Sequence, residues 1–313
     1  MSSASRAVTP RWRTAAVRYG IPLVGVLALA VAARHVDGRA LVASLREMNP
    51  LLGCAAMLAM IGGKVGCKAL RSQRLLAAEC ARVRCAAPPL ATTVRLLVAS
   101  HAAGQLAWGP LGFTVRTVAL QADGMPLGAI ARVHLAERIA EGIGIAVIAI
   151  AALTVAPEAI LESRAGALLV VGVVALAAAA TVAVAVPRLR RKLAAHAPVG
   201  VALGVAALWA LASSVADLGV LWLAARAVHV DVGCAPLVVA FLAVNGACAV
   251  PVTPAQIGVQ EAAITVAFAG AGIPAPAALA CALAYRCAHL VPLVLVGVPA
   301  LIATWAPSRR SAR

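Results

Sequence analysis

The chain has 313 residues, of which 63% are hydrophobic and 12% charged, with a mean hydropathy of +0.97. Too little polar side-chain surface is present to coat a water-soluble globule of this size, so the solvent is lipid and a sizeable soluble domain is excluded. The formal charge of +16 comes from 27 Lys and Arg that fall mainly between apolar stretches, as cytoplasmic loops do under the positive-inside rule. With aromatics at 3%, the charge does not read as a nucleic-acid surface, which needs rings interleaved with basic side chains.

In chain order, apolar stretches long enough to cross about 30 Å of hydrocarbon are predicted at 19–36, 50–68, 90–109, 128–155, 165–186, 199–225, 234–250 and 277–304, with a shorter apolar piece at 258–270. The basic segment 1–18, with Arg6, Arg11, Arg13 and Arg18, precedes the apolar run Ile21–Ala33 in the manner of a signal peptide. It is read instead as an uncleaved first helix, because equally hydrophobic spans continue throughout. Further basic loops are expected at Lys68, Arg71, Arg74, Arg82 and Arg84, at Arg188, Arg190, Arg191 and Lys192, and in the tail 306–313 with Arg309, Arg310 and Arg313. All lie on the cytoplasmic side in this reading, which places both termini in the cytoplasm of a multi-pass cell-membrane protein. The eight cysteines show no C-x-x-C spacing and are read as small buried hydrophobes, with no metal, disulfide or cofactor expected.

Counting sides constrains the topology. The loop 156–164, with Glu158, Glu162 and only Arg164, belongs outside, because one span separates it from the basic loop at 188–192. Two apolar segments lie between it and the inside loop ending near Pro89, where an odd number of crossings is required. The region 90–127, interrupted by Gly104, Gly109-Pro110, Gly112, Gly124 and Pro126, is therefore predicted to be a re-entrant or broken-helix hairpin, with 128–155 as the crossing. In the second half, 234–250, 258–270 and 277–304 make either three crossings or one broken hairpin plus one crossing, with Pro251, Pro254, Gly258, Gly270, Gly272, Pro274 and Pro276 as the breaks.

The two regions share a pattern. Gly124-Met125-Pro126 is followed twelve residues after its proline by Arg138, and Gly272-Ile273-Pro274 at the same distance by Arg286. The expected fold is thus an all-α polytopic integral membrane protein with broken or re-entrant helices and an inverted repeat. The membrane domain covers 19–305, with half one at about 50–155 and half two at about 199–305.

Ionisable residues within spans mark candidate sites. His134, Glu137, Arg138 and Glu141 fall within about a 100° arc of one helix face. They either pair with one another along the helix near its cytoplasmic end or face a polar interior. Arg286 and His289 occupy adjacent turns of the last span, and Asp217 stands within 199–225 with Ser213 and Ser214 one turn earlier. Asp217 is either a carboxyl satisfied by neighbours or a proton-coupling group. Arg116 and Glu261 lie in the broken stretches, where freed N–H groups and helix N-termini can hold anions.

The run Pro254-Ala255-Gln256-Ile257-Gly258-Val259-Gln260-Glu261-Ala262 resembles the P-G-G-x-G-x-x-E signature of the lysylphosphatidylglycerol synthase transmembrane, or flippase-like, family. Ala284-Tyr285-Arg286 resembles the arginine helix that follows it, and Glu137-Arg138 the family's E-R element. Gln105 to Arg116 resembles its N-x-x-P-x-R-x-G-E-x-x-R pattern at Gly112 and Arg116, but has Gln105 for Asn, Trp108 for Pro, Pro110 for Arg and Phe113 for Glu. The resemblance spans about 15–305 and implies a helical membrane domain that moves or accommodates charged lipids, with hopanoid or other isoprenoid lipids among the associations of relatives. Synthase members carry a soluble aminoacyl-transferase domain, whereas this chain is expected to lack it and to be no enzyme. No H-E-x-x-H, G-x-S-x-G or D-x-x-x-D constellation is placed for chemistry.

These readings converge on a lipid flippase or transporter for an anionic phospholipid or isoprenoid-type lipid, with the bilayer and its lipid as partners. Arg116, Arg138, Arg286, Gln105, Gly258 and Glu261 would bind the substrate. His134, Glu137, Glu141, Asp217 and His289 would form charge pairs or carry protons. The alternatives are a non-transporting scaffold of a lipid- or glycan-synthesising enzyme, with that enzyme or a homodimer as partner, and a small-solute exporter.

Overall fold

The computed structural model describes residues 38–106, 109–155, 200–248 and 256–305. The expected spans at 19–36 and 165–186, the loops 156–164 and 188–192, both terminal segments, Trp108, Pro251, Pro254 and Ala255 lie outside the described residues. Among the described residues the regular structure is helical throughout. A short α1 (Gly38–Arg46) leads into α2 (Pro50–Val83), followed by α3 (Leu90–Leu106), α4 (Gly109–Ala122) and α5 (Leu127–Val155). After the undescribed stretch come α6 (Gly200–Ala227), α7 (Cys234–Cys248) and α8 (Val259–Gly270). The last helix, α9, runs through Ala275–Pro292, a π-helical stretch Leu293–Gly297 and Val298–Trp305. α2 holds a similar π-helical stretch at Ala59–Val65.

Four of these are long and apolar enough to cross a membrane: Pro50–Val83, Leu127–Val155, Ala202–Ala227 and Ala275–Thr304. The other four after α1 come in pairs of 17 and 14 residues (α3, α4) and 15 and 12 residues (α7, α8). At 1.5 Å per residue each is about 18–26 Å long, short of the hydrocarbon thickness. Each pair packs arm against arm as a hairpin, so the second half uses one broken hairpin plus one crossing. The arms of the first approach closely: a Cβ on Gly112 would sit 2.4 Å from the Ser100 carbonyl oxygen, so only glycine fits there.

One expectation is corrected. The span predicted at 50–68 does not end in a basic loop at Lys68. α2 begins under an Asn49 cap, whose Oδ1 accepts from Leu51 N and Leu52 N, with Pro50 in the first turn. It continues to Val83, where Arg84 takes a left-handed conformation (φ 57°). The stretch 68–83 contains no Gly or Pro and is rich in Ala, Leu and Arg, all good helix formers. Arg74, Arg82 and Arg84 are exposed, but Arg71 is buried and Lys68 half-buried within the helix.

The repeat is visible at two levels. The order long helix, two-armed hairpin, long helix recurs in α2–α5 and α6–α9. The turn closing each hairpin is also the same. Gly124 and Gly272 adopt φ of 87° and 82°. Met125 N donates to Leu120 O and Gly124 N to Gln121 O, just as Ile273 N donates to Phe268 O and Gly272 N to Ala269 O. This is the Schellman helix end, which needs the left-handed conformation that glycine adopts without strain. The carbonyls of Pro126 and Pro274 then accept from the first turns of α5 and α9.

The hairpins are based at opposite ends of the bundle. Beside the C-terminal end of α2, Gln73 Nε2 donates to Pro88 O at the start of α3, and Met125 in the closing turn shares a core with Leu75, Leu76 and Cys80. The second hairpin starts where α6 ends, at the N-terminal end of α2: Asn49 N donates to Ala227 O at 2.7 Å, and Val230, Val232 and Leu237 join a core with Ala56. Each hairpin thus returns to its own side.

Candidate functional site: two buried charge centres

The charged side chains gather where the long helices meet. In the first centre α2 contributes Lys68, Arg71 and Ser72, α4 contributes Arg116, and α5 contributes His134, Glu137, Arg138 and Glu141. Arg116 is 4% exposed, and its Nη1 donates to both Glu137 oxygens, at 2.8 and 2.7 Å. The Ser72 hydroxyl also donates to Glu137, and His134 Nδ1 lies 3.5 Å from it. One turn along α5, Glu141 is shared by three cations: Arg71 at 2.9 Å, Arg138 at 2.8 Å and Lys68 at 3.3 Å.

The centre forms because Lys64, Lys68 and Arg71 recur along one face of α2, while Glu137 and Glu141 recur one turn apart on α5. Arg138 behaves differently from its neighbours. Its side chain is 61% exposed, and its guanidinium sits 4.8 Å above the Phe113 ring, a cation–π contact that His134 completes edge-on at 5.3 Å.

The second centre is built from α2, α6, α8 and α9. Lys64 Nζ donates to Asp217 Oδ2 at 2.7 Å and lies 3.0 Å from His289 Nε2. The Tyr285 hydroxyl donates to Asp217 Oδ1 at 2.9 Å, and His289 Nε2 is 3.1 Å from the same oxygen. His289 Nδ1 faces the Tyr285 carbonyl at 2.9 Å; a carbonyl only accepts, so this nitrogen carries the hydrogen and Nε2 is left to take or give the proton shared with Lys64 and Asp217. Beside this triad, Arg286 Nη1 donates to Gln260 Oε1 at 2.7 Å, with its Nε 3.6 Å from Glu261 Oε1. The other Glu261 oxygen accepts the Gly258 N–H at 2.8 Å. The G-x-x-E spacing thereby closes the first turn of α8, with Gly258 at φ 84°.

The repeat relates the two centres. The offset of 148 residues that carries Gly124 onto Gly272 also carries Arg138 onto Arg286 and Phe113 onto Glu261. Arg286 reaches its glutamate, whereas Arg138 stacks on the phenylalanine that takes the glutamate's place.

The sequence-predicted residues therefore divide between the centres. His134, Glu137, Arg138, Glu141 and Arg116 come together in the first, and Asp217, His289, Arg286, Glu261 and Gly258 in the second. Gln105 is half-buried near the C-terminal end of α3, and among the described residues no charged contact ties it to either centre. Sequence reasoning missed Lys64, Lys68, Arg71, Tyr285 and Gln260 as site residues. The i, i+4, i+7 spacing of the three α2 cations was the available signal, and reading Lys68 as a loop residue obscured it.

A comparison with curated proteins finds no match. The family model for the lysylphosphatidylglycerol synthase TM region matches residues 19–297. That stretch takes in both hairpins, both Gly-x-Pro turns and both charge centres, and the chain accordingly belongs to the lysylphosphatidylglycerol synthase TM region family.

Proposed function

We propose that this membrane protein is a flippase-like carrier for an anionic lipid, phospholipid or isoprenoid, residing in the cell membrane with both termini cytoplasmic. The observation that carries the reading is the excess of basic groups inside the bundle. Among the described residues, the buried or half-buried Lys64, Lys68, Arg71, Arg116 and Arg286, with Arg138 at the exposed rim, face the carboxylates of Glu137, Glu141, Asp217 and Glu261. Surplus positive charge in a low-dielectric interior is costly unless an anion compensates it. Paired hairpins based on opposite ends give the bundle two elements through which a bound headgroup can be exposed to either side in turn.

The geometry supports a role for each residue in this reading. Arg138 meets the headgroup from the lipid side and passes it to Arg71 and Arg116 by charge-assisted hydrogen bonds. Glu137 and Glu141 hold those arginines when the site is empty. Lys64, Asp217 and His289 share one proton in a triad between α2, α6 and α9 and so are the place to couple movement to protonation. No step of this cycle is catalytic in the chemical sense.

The test is leaflet-resolved movement of a headgroup-labelled anionic phospholipid in proteoliposomes. Wild type should move it, Arg138→Ala and Arg286→Ala should each slow it several-fold, and unchanged rates in both variants would refute the mechanism. A scaffold role gains support from the tight pairing of Arg116 with Glu137, which also locks helix packing. Stoichiometric co-purification of a lipid-synthesising enzyme, without lipid movement by the pure protein, would favour that reading.

A further inference from the structure

We infer that the first centre binds a phosphate dianion with three free oxygens, either the headgroup of a lipid phosphomonoester or inorganic phosphate itself. The inference rests on the carrier reading and names its substrate class.

Charge balance is the first argument. In the second centre Lys64 and Arg286 meet Asp217 and Glu261, two charges against two. In the first, among the described residues, Lys68, Arg71, Arg116 and, at the exposed rim, Arg138 meet only Glu137 and Glu141. Two positive charges are therefore uncompensated there, and a phosphodiester, with one negative charge, would neutralise only half of them. A phosphomonoester above its second ionisation carries close to two.

The donor inventory is the second argument and is independent of charge. Arg71 is 3% exposed and spends Nη2 on Glu141, while its Nε and Nη1 are buried without an acceptor. Arg116 spends Nη1 on Glu137, while its Nη2 is buried in the same state. Buried guanidinium nitrogens left without acceptors are rare and costly. The two arginines meet successive turns of α5, Arg116 at Glu137 and Arg71 at Glu141. Three guanidinium nitrogens are thus unspent, and a phosphomonoester brings three terminal oxygens to them where a diester brings two.

The third argument is access. Arg138 is the twelfth residue of a 29-residue helix, about 16 Å along it from the N-terminus. Its exposed guanidinium stands among the exposed side chains of Phe113, Leu135 and Ile139. A cation held at that depth on an apolar surface is positioned to meet a headgroup whose chains stay in lipid.

The experiment uses the purified full chain in phosphatidylcholine nanodiscs doped at equal mole fraction with phosphatidic acid or with phosphatidylmethanol. These lipids differ only in a methyl cap on the phosphate. Binding is read by native mass spectrometry and thermal stabilisation at about pH 8, above the second phosphate ionisation near 6. Phosphatidic acid should be retained about tenfold more strongly, the worth of roughly one additional charge-assisted contact. Arg71→Gln should abolish that preference, and the milder Lys68→Gln, which leaves both orphaned guanidinium groups in place, should reduce it. Arg226→Gln, at an exposed pair with Asp231, should leave it intact. Displacement of phosphatidic acid by inorganic phosphate at matched concentration would identify the free anion as the ligand, and resistance to it the lipid.

Equal retention of the two lipids by wild type, or a preference surviving in both Arg71→Gln and Lys68→Gln, would overturn the inference. Proteoliposomes that move both lipids alike would leave the carrier reading standing and this one fallen. A binding preference without movement of either lipid would do the reverse.

Discussion

Asp217 is the residue whose loss the structure prices most clearly. Its carboxylate takes a hydrogen bond from Lys64 at 2.7 Å and from Tyr285 at 2.9 Å, and lies 3.1 Å from His289. Asp217→Asn keeps the volume but leaves the Lys64 ammonium facing a neutral amide inside the bundle. Removing one partner of a buried pair costs about 3–5 kcal/mol. Lys64 keeps 16% side-chain exposure, which allows some relaxation toward polar surroundings and places the loss near 3 kcal/mol, the lower end of that range. For a helical domain of this size that corresponds to a melting shift of roughly 6–12 °C downward. The assay is thermal unfolding in a mild detergent, followed by size-exclusion recovery, for Asp217→Asn, Lys64→Gln and the double variant. Because the two residues contact directly, the double variant should recover at least about 1.5 kcal/mol of the summed single losses. A wild-type melting point for Asp217→Asn, or strict additivity in the cycle, would refute the assignment of Lys64 and Asp217 as a buried pair.

Two further predictions concern architecture. In otherwise cysteine-free variants, Cys85 beside the base of the first hairpin and Cys234 at the base of the second should react with a membrane-impermeant maleimide from opposite sides of a sealed vesicle; reaction from the same side would rule out opposed hairpins. Gly124→Ala and Gly272→Ala should each lower stability by about 1–2 kcal/mol, because both place a Cβ in a left-handed turn, and closely similar losses in a denaturation series are expected from the shared hydrogen-bond pattern.

Much of this fold was legible because lipid imposes simple rules. Hydropathy located all four long helices, and the side-counting argument singled out 90–127 as the segment unable to cross plainly. The Gly-x-Pro units were recognisable in sequence because the turn they make needs glycine's positive φ. The extent of α2 was not legible. Lys68 and Arg71 look like loop residues until Glu141, far along the chain, is known to lie opposite them. Hydropathy registers the cost of a buried cation but not the distant carboxylate that offsets it. The same limit hid Tyr285, whose value comes from Asp217 on another helix, and blurred Glu261, which closes its own helix turn as well as facing Arg286. Conversely, Phe113 stands where the family pattern has Glu, and the geometry gives it a part: the ring offers Arg138 a face to rest on, while Glu141, which Arg138 shares with Arg71 and Lys68, supplies the carboxylate.

That exchange bears on energetics beyond the binding site. A chain built as two opposed copies has, for any shape in which one copy tilts and the other stays, a partner shape with the copies' roles reversed. With identical sequences the two shapes would be degenerate, each populated equally in the absence of ligand or gradient. The phenylalanine at 113 against the glutamate at 261 is one difference that lifts the degeneracy, since at this position Arg286 meets a carboxylate and Arg138 a ring. Glu137 against Tyr285 and Glu141 against His289 separate the halves as well, so the resting orientation of the molecule is the sum of several such differences gathered at the two charge centres.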